Sequence, residues 1–268
     1  MNIPIMNKEG KTTGTISLPV QFSETIRPDL IRRAVEAIWA NTRQPYGTDP
    51  RAGKRASAKL SRRRRNYRGA YGHGISRVPR KIMSKNGTNM NWTGAFAPCT
   101  VKGYRAHPPK VTKDWKHALN TQERRKALRS ALAASMQPSL VSAHGHKLPA
   151  QYPLALATDT EEITKSKDVQ ELLIKLGFEQ ELLRAATKKI RAGKGKNRTR
   201  PYKKRKGPLL VVGANCNLSR AARNIPGVDI VSVKQLNTQV LAPGAIAGRL
   251  TLFTEHALTT LTTERLYT

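Results

Sequence analysis

Sixty-four consecutive residues, Pro50 to Lys113, carry 17 lysines and arginines and no aspartate or glutamate. Such a run is suited to neutralising closely spaced anions. A second run, Arg184 to Gly207, holds 12 lysines and arginines in 24 residues, again without an acid. The other 180 residues carry 20 basic and 17 acidic side chains, so the net charge of +32 is concentrated in two segments of an otherwise nearly neutral chain. Arginine pairs bidentately with phosphate, and its planar head stacks on bases. Concentrated cation of this kind predicts a long polyanion as partner, most simply nucleic acid. Tyr67, Tyr71, Trp92, Phe96 and Tyr104 are interleaved with the cations of the first run. Aromatics in a basic segment suit stacking on unpaired bases, which points to RNA more than to duplex DNA. Gly69, Gly72, Gly74, Gly87, Gly94 and Gly103 are expected to let backbone approach phosphate closely. Arg191, Lys194, Lys196, Arg198, Arg200, Lys203, Lys204 and Arg205 form a second phosphate-binding candidate.

Other chemistries are weaker. Leu210-Val-Val-Gly213 ahead of a helix invites a dinucleotide-binding reading, but Ala214-Asn215-Cys216-Asn217 lacks the required glycines, and Val233-Lys234 stands where a ribose-binding acid is needed. A structural strand-to-helix turn is the better account. His144-Gly145-His146, or His107 or His117 with Cys99, could ligate a metal, but no set of four has ligand spacing; histidines in loops meeting RNA or solvent are expected instead. Asp159, Glu161 and Glu162 read as a solvated helix start. No catalytic set, metal site or cofactor site is expected. Two rivals stand against an RNA-binding structural protein. An RNA-modifying enzyme with a basic insertion needs a cofactor loop that Leu209 to Lys234 does not supply, and a duplex-DNA condenser would show no preference for folded RNA.

The elements that must carry these runs are legible outside them. Ile3–Asn7 and Thr15–Leu18 predict two strands around Glu9-Gly10-Lys11. Arg27-Pro28-Asp29 opens a helix to about Asn41, with Leu30, Ile31, Ala34, Val35, Ile38 and Trp39 as its buried face. Asn120-Thr-Gln-Glu123 has capping-box form and starts a helix to about Met136. Leu154–Ala157 is a short strand, Asp168–Leu176 and Glu179–Ile190 are helices broken at Gly177, and Leu209–Val212 is a buried strand. Asn217–Asn224 is a short helix, Asp229–Val233 and Leu250–Phe253 are strands, and Glu255–Leu266 is the last helix. Strands alternating with helices predict an α/β fold: three α/β/α layers around a mainly parallel sheet, with a long extended internal loop and a second basic segment. Within Pro50–Lys113 only eight residues are Val, Ile, Leu or Met, too few to offset chain ordering at about 1 kcal/mol per residue. That run is expected to be ordered by its partner. Two distant cysteines, no apolar run of membrane length and no signal-peptide pattern predict a reducing, cytoplasmic setting without membrane contact.

Several segments resemble the archaeal and eukaryotic form of the ribosomal protein L four family. They are Arg43-Gln-Pro-Tyr46-Gly47, Asp49-Pro-Arg51-Ala-Gly-Lys54-Arg55, Tyr71-Gly-His73-Gly-Ile-Ser-Arg77-Val-Pro-Arg80-Lys81, Ala106-His107-Pro-Pro-Lys110, Ser130-Ala-Leu-Ala-Ala134, Arg191-Ala-Gly-Lys-Gly-Lys196 and Leu241-Ala-Pro-Gly244. They run in order along nearly the whole chain, and the archaeal branch is the nearer. The resemblance implies a structural, non-enzymatic protein of the large ribosomal subunit, with a globular α/β domain (residues 1–41 and 116–268) and an extended loop (42–115) that penetrates ribosomal RNA (rRNA) and reaches the peptide exit tunnel. Its implied partners are large-subunit rRNA, neighbouring subunit proteins including the ribosomal protein L twenty-two family, and the nascent polypeptide. By the same resemblance, Arg43, Tyr46, Arg51, Lys54, Arg55, Lys59, Arg62, Arg63, Arg64, Arg65, Arg68, Tyr71, His73, Arg77, Arg80, Arg105, His107 and Lys110 meet rRNA. The loop tip facing the tunnel is Lys81, Ile82, Met83, Ser84, Lys85, Asn86, Gly87, Thr88, Asn89, Met90, Asn91 and Trp92. Archaeal relatives typically read Ala-Pro-Gly-Thr-Val-Gly-Gly-Arg-Arg where this chain has Ala97-Pro-Cys99-Thr-Val-Lys102-Gly-Tyr104-Arg105, so Cys99 and Lys102 replace glycines and Tyr104 an arginine.

Overall fold

A computed structural model describes residues 1–66, 69–87 and 89–268. Tyr67, Arg68 and Thr88, three of the residues named above, lie outside the described set. The strands in chain order are β1 (Asn2–Met6), β2 (Thr12–Ser17), β3 (Arg80–Asn86), β4 (Asn89–Gly94), β5 (Ala155–Leu156), β6 (Lys188–Ile190), β7 (Tyr202–Lys204), β8 (Leu209–Val212), β9 (Asp229–Ser232) and β10 (Thr251–Thr254). The helices are α1 (Pro28–Thr42), α2 (Thr121–Ser135), α3 (Pro138–Ala143), α4 (Ser166–Lys175), α5 (Glu179–Ala186), α6 (Asn217–Ala221), α7 (Thr238–Leu241) and α8 (Glu255–Thr263). Internal contacts divide the chain into two units, Met1–Asn41 with Lys116–Thr268, and Thr42–Trp115.

The first unit is built on a six-stranded sheet of order β2-β1-β5-β10-β8-β9. β1 and β2 are antiparallel; every other neighbouring pair is parallel. Alternation along the strands sends side chains to opposite faces. Leu209, Val211 and Phe253 join Ile31 and Val35 of α1, Leu128 and Leu132 of α2, and Leu258 and Leu261 of α8 in one core. Leu210, Val212 and Leu252 join Val169, Leu172 and Leu173 of α4, Leu182 of α5 and Leu218 of α6 in the other. Both faces are covered, which gives the three α/β/α layers. Phe22 meets Phe253 edge-on at 5.2 Å between ring centres.

Local differences from the sequence reading have physical causes. Trp39 is 43% exposed, because the buried stripe of α1 is Ile31, Ala34, Val35 and Ala37. Asn120 caps α2 by accepting from the Gln122 N–H at 3.0 Å, while Glu123 pairs with Arg33 at 3.1 Å. The helix starting at Glu179 ends at Ala186, not Ile190. Thr187 Oγ1 donates to the Leu183 carbonyl there, and continuing the helix would align Arg184 with Lys188 at a like-charge i,i+4 spacing. Lys188–Ile190 instead pairs with Tyr202–Lys204 as an antiparallel ribbon.

Asp159 and Glu162 are exposed as a solvated helix start requires, but Glu161 of the same cluster is not. The cluster forms a 3₁₀ turn in which the Glu161 carboxylate, 14% exposed, accepts from Thr254 Oγ1 at 2.6 Å and lies 3.3 Å from His256 Nδ1. A Cβ on Gly213 would stand 2.4 Å from that same His256 ring, which accounts for glycine at the end of β8.

Candidate nucleic-acid interface

The Thr42–Trp115 unit carries 18 lysines and arginines against two carboxylates, Asp49 and Asp114. Its apolar core is small: Ala70, Ala95 and Ala97 are its buried hydrophobic residues among those described. Close backbone packing takes the place of side-chain burial. A Cβ on Gly103 would fall 1.9 Å from the Ala97 carbonyl oxygen, and one on Gly53 would fall 2.5 Å from Tyr104 Cα. Gly103 and Gly94 are therefore occupied by their own chain rather than held open for phosphate. Lys102, where a family glycine is expected, takes a φ of 60°, in the left-handed region that a side chain disfavours.

This packing turns the cations outward. Arg43, Arg51, Lys54, Arg55, Lys59, Arg62, Arg63, Arg64, Arg65, Arg77, Arg105 and Lys110 are all exposed, as are Tyr46, Tyr71, His73 and His107; Arg80 is half-buried. Asp49 pairs with Arg55 and accepts from the Arg51 N–H at 2.9 Å. That backbone bond and then Arg55 hold its carboxyl below the usual range. Most of the positive field is left uncompensated within the unit.

The aromatics do a job that sequence reasoning did not anticipate: they hold cations in place. Arg43 lies 4.2 Å and Lys113 4.4 Å from the Trp115 ring centre, and Tyr46 stacks on Trp115 at 5.6 Å. Arg77 sits over Tyr71 and donates to its hydroxyl at 3.2 Å. Lys54 sits 5.1 Å from Tyr104, and Arg80 5.2 Å from Trp92. Cation–π contact of this kind fixes the long side chains without neutralising them. Tyr104, at the position expected to be arginine, thus organises a cation and also meets Phe96 at 5.7 Å.

Residues Lys81 to Gly87 and Asn89 to Trp92 belong to the antiparallel hairpin β3–β4, bulged between Ile82 and Ser84, with Gly87 in its turn at φ 55°. No hairpin was expected, because both faces are largely open and the apolar–polar alternation that marks a half-buried strand is weak. Met83 is 67% exposed.

In the first unit, Arg191, Lys194, Lys196, Arg198, Arg200, Lys203, Lys204 and Arg205 are all exposed, on or beside the β6–β7 ribbon. Arg184, which opens the second basic run, and Arg249, which sequence reasoning passed over, hold the root of that ribbon. Arg184 donates to the Lys206 carbonyl at 2.7 Å, and Arg249, 1% exposed, donates to the Gly207 carbonyl at 3.1 Å and to Asp229 at 2.6 Å. His146 is no solvent-facing loop histidine. Its Nδ1 lies 2.7 Å from Oε1 of the fully buried Glu181, which also takes Arg184 and the Lys147 N–H. Burial pushes the Glu181 carboxyl up, but hydrogen bonds from Arg184, His146 and Lys147 outweigh it and hold the group at about 2. Burial likewise acts against ionisation of Asp229, and Lys206 and Arg249 together lower it below the usual range. Among the described residues no group of three or more His, Cys, Asp or Glu is placed to hold a metal, and no helix is long and apolar enough to cross a membrane.

Comparison with known proteins shows the family. The model of the "Ribosomal protein L4/L1 family" matches residues 16–264. The chain is 48% identical to "Large ribosomal subunit protein uL4" of Nanoarchaeum equitans over 268 residues, covering 100% of both chains. It is 43% identical to the protein of the same name from Methanococcoides burtonii, covering 96% of each chain, and 43% identical to that of Methanopyrus kandleri, covering 97% of this chain and 98% of the relative. All three relatives carry the name of a large ribosomal subunit protein. Matched along nearly its whole length by both the family model and these archaeal proteins, the chain belongs to the ribosomal protein L4/L1 family.

Proposed function

We propose that this structural constituent of the large ribosomal subunit binds large-subunit rRNA chiefly through the Thr42–Trp115 unit, and that the β3–β4 hairpin helps to form the wall of the peptide exit tunnel. The carrying observation is the charge of that unit: 18 cations against two carboxylates, nearly all exposed, on a scaffold with almost no apolar core. Such a surface gains free energy by placing phosphates between its arginines and releasing their counterions. The aromatic rings pre-position Arg43, Lys54, Arg77 and Arg80, which lowers the ordering cost of each contact. Arg62 to Arg65 supply the densest cluster, and the exposed cations of Arg191–Arg205 add phosphate contacts from the other unit. The exposed Met83, the Asn-rich turn and the lower charge of residues 81–92 support a surface that meets nascent polypeptide rather than phosphate. Neighbouring subunit proteins, the L twenty-two family among them, complete the set of partners, and the setting is the cytoplasm.

The test is binding of purified protein to large-subunit rRNA across a salt series. Replacing Arg62, Arg63, Arg64 and Arg65 with Gln should reduce the slope of log affinity against log salt by about 3, at about 0.7–0.9 per lost phosphate contact. An unchanged slope would remove this unit as the main rRNA contact. For the hairpin, a photoreactive residue in place of Met83 should crosslink to a stalled nascent chain; a crosslink to rRNA alone would move the hairpin away from the tunnel.

A further inference from the structure

The β6–β7 ribbon is not uniformly polar. In its register Ile190 stands opposite Tyr202, and Lys188 opposite Lys204. Side chains alternate between the faces of a strand, so these four share one face, while Lys189 and Lys203 share the other. Ile190 is 74% and Tyr202 54% exposed. Scattered single apolar residues are ordinary on a surface, but an opposed pair within a run of 12 cations is not scattered. A β-branched residue opposite an aromatic one stabilises a ribbon. That role uses only their facing sides and leaves the outward surfaces wet.

The surroundings specify the charge of a covering partner. Lys188 Nζ lies 6.0 Å from the centre of the Tyr202 ring, so cation and ring are presented together. Lys204 stands across from Lys188, and like charges directly opposed weaken a ribbon. Among the described residues no carboxylate lies within ion-pair distance of either lysine. An acid brought by a partner relieves that repulsion, whereas a basic partner adds to it. Phosphate would serve the two lysines equally well, but it offers nothing to Ile190, whose side chain neither stacks on bases nor hydrogen-bonds. A tyrosine beside an aliphatic side chain, rimmed by charge, is the make-up of a protein contact.

We propose that this face of the ribbon docks an acidic segment of a neighbouring large-subunit protein. An apolar side chain of that segment covers Ile190 and Tyr202, and its carboxylates sit between Lys188 and Lys204. Lys203, on the other face, stays with the phosphate contacts described above. The proposal rests on the reading of the chain as a large-subunit protein and not on the rRNA contacts of the Thr42–Trp115 unit.

The test uses large subunits assembled in cells with the full chain carrying an apolar photoreactive residue in place of Ile190. The subunits are purified and irradiated, and the crosslinked product is sequenced. The expected product is one protein segment with more Asp and Glu than Lys and Arg. Adding Lys188→Glu, or Tyr202→Ser, should lower its yield about tenfold, the scale of one central interface contact, while Lys188→Arg should retain it. All three positions are exposed, and an unchanged melting temperature of the free protein verifies the fold. A crosslink to rRNA, a crosslink to a basic protein segment, no crosslink, or a yield indifferent to both variants would overturn the docking face. Absence of the chain from the large subunits would instead remove the reading on which the proposal rests.

Discussion

The two units of this chain are held by different physics. In Met1–Asn41 with Lys116–Thr268, two apolar cores flank a parallel sheet, and the buried charges are paired: Glu181 with Arg184 and His146, Arg249 with Asp229. In Thr42–Trp115, tight glycine turns and cation–π contacts replace the core, and the cations have almost no acids to meet. The first unit carries its own stabilising interactions. The second leaves its cations exposed and largely unpaired by acids, the charge that the proposed rRNA contact would meet.

The contrast can be broken first by cavity formation. Phe253→Ala, at a fully buried ring against Phe22, should cost about 3–5 kcal/mol in urea unfolding. Met83→Ala, at an exposed hairpin position, should change stability by less than about 0.5 kcal/mol. Equal losses would mean that the second unit has a core of its own.

Next in size is the buried charge network. Glu181→Gln should cost about 3 kcal/mol, because it removes the buried carboxylate that pairs with Arg184, 15% exposed, and His146. The pH dependence follows from its lowered carboxyl. With an ordinary value near 4.5 and a folded value of about 2, ionised Glu181 stabilises the fold above about 4.5, and that stability is lost as pH falls toward 2. Chemical denaturation between those limits should show a shallower pH slope in Glu181→Gln than in the native protein.

The Arg62–Arg65 variant sharpens the comparison in the other direction. It should lower rRNA affinity and salt slope while leaving the urea midpoint within about 0.5 kcal/mol of native, since these side chains are exposed. The smallest effect is expected at Lys102. Lys102→Gly relieves a left-handed φ of 60° that costs about 1–2 kcal/mol, partly offset by the greater unfolded-chain entropy of glycine. The net gain should be under about 1 kcal/mol, visible as slower hydrogen exchange in the Ala97–Gly103 turn.

The parts of this fold governed by apolar periodicity were legible in the amino-acid order. Leu209–Val212 reads as a buried strand because all four residues are apolar, and α1 and α2 start where their proline and asparagine stand. The basic runs were legible because the absence of acids is a property of composition. The missed features have no periodic signature. β3–β4 and β6–β7 bury little on either face, so nothing alternates strongly. Glu181, Arg249 and His146 are polar residues buried by long-range partners, which local pattern cannot reveal. The short helices α3 and α7, of six and four residues, are too brief for a helical stripe. In the candidate interface, the cations were visible in sequence, but the contact of Arg43 with Trp115 was not, because it depends on the closure of a 74-residue segment.

The most direct test of the central claim is sedimentation of tagged full-length protein from native extract, with the large-subunit fraction washed in high salt. Protein held by arms built into folded rRNA should remain with the subunit through the wash. Surface attraction alone would weaken steeply as salt rises, because each phosphate contact depends on counterion release. Retention on washed large subunits is the predicted result; complete release at high salt, or absence from the large-subunit fraction, would contradict the account.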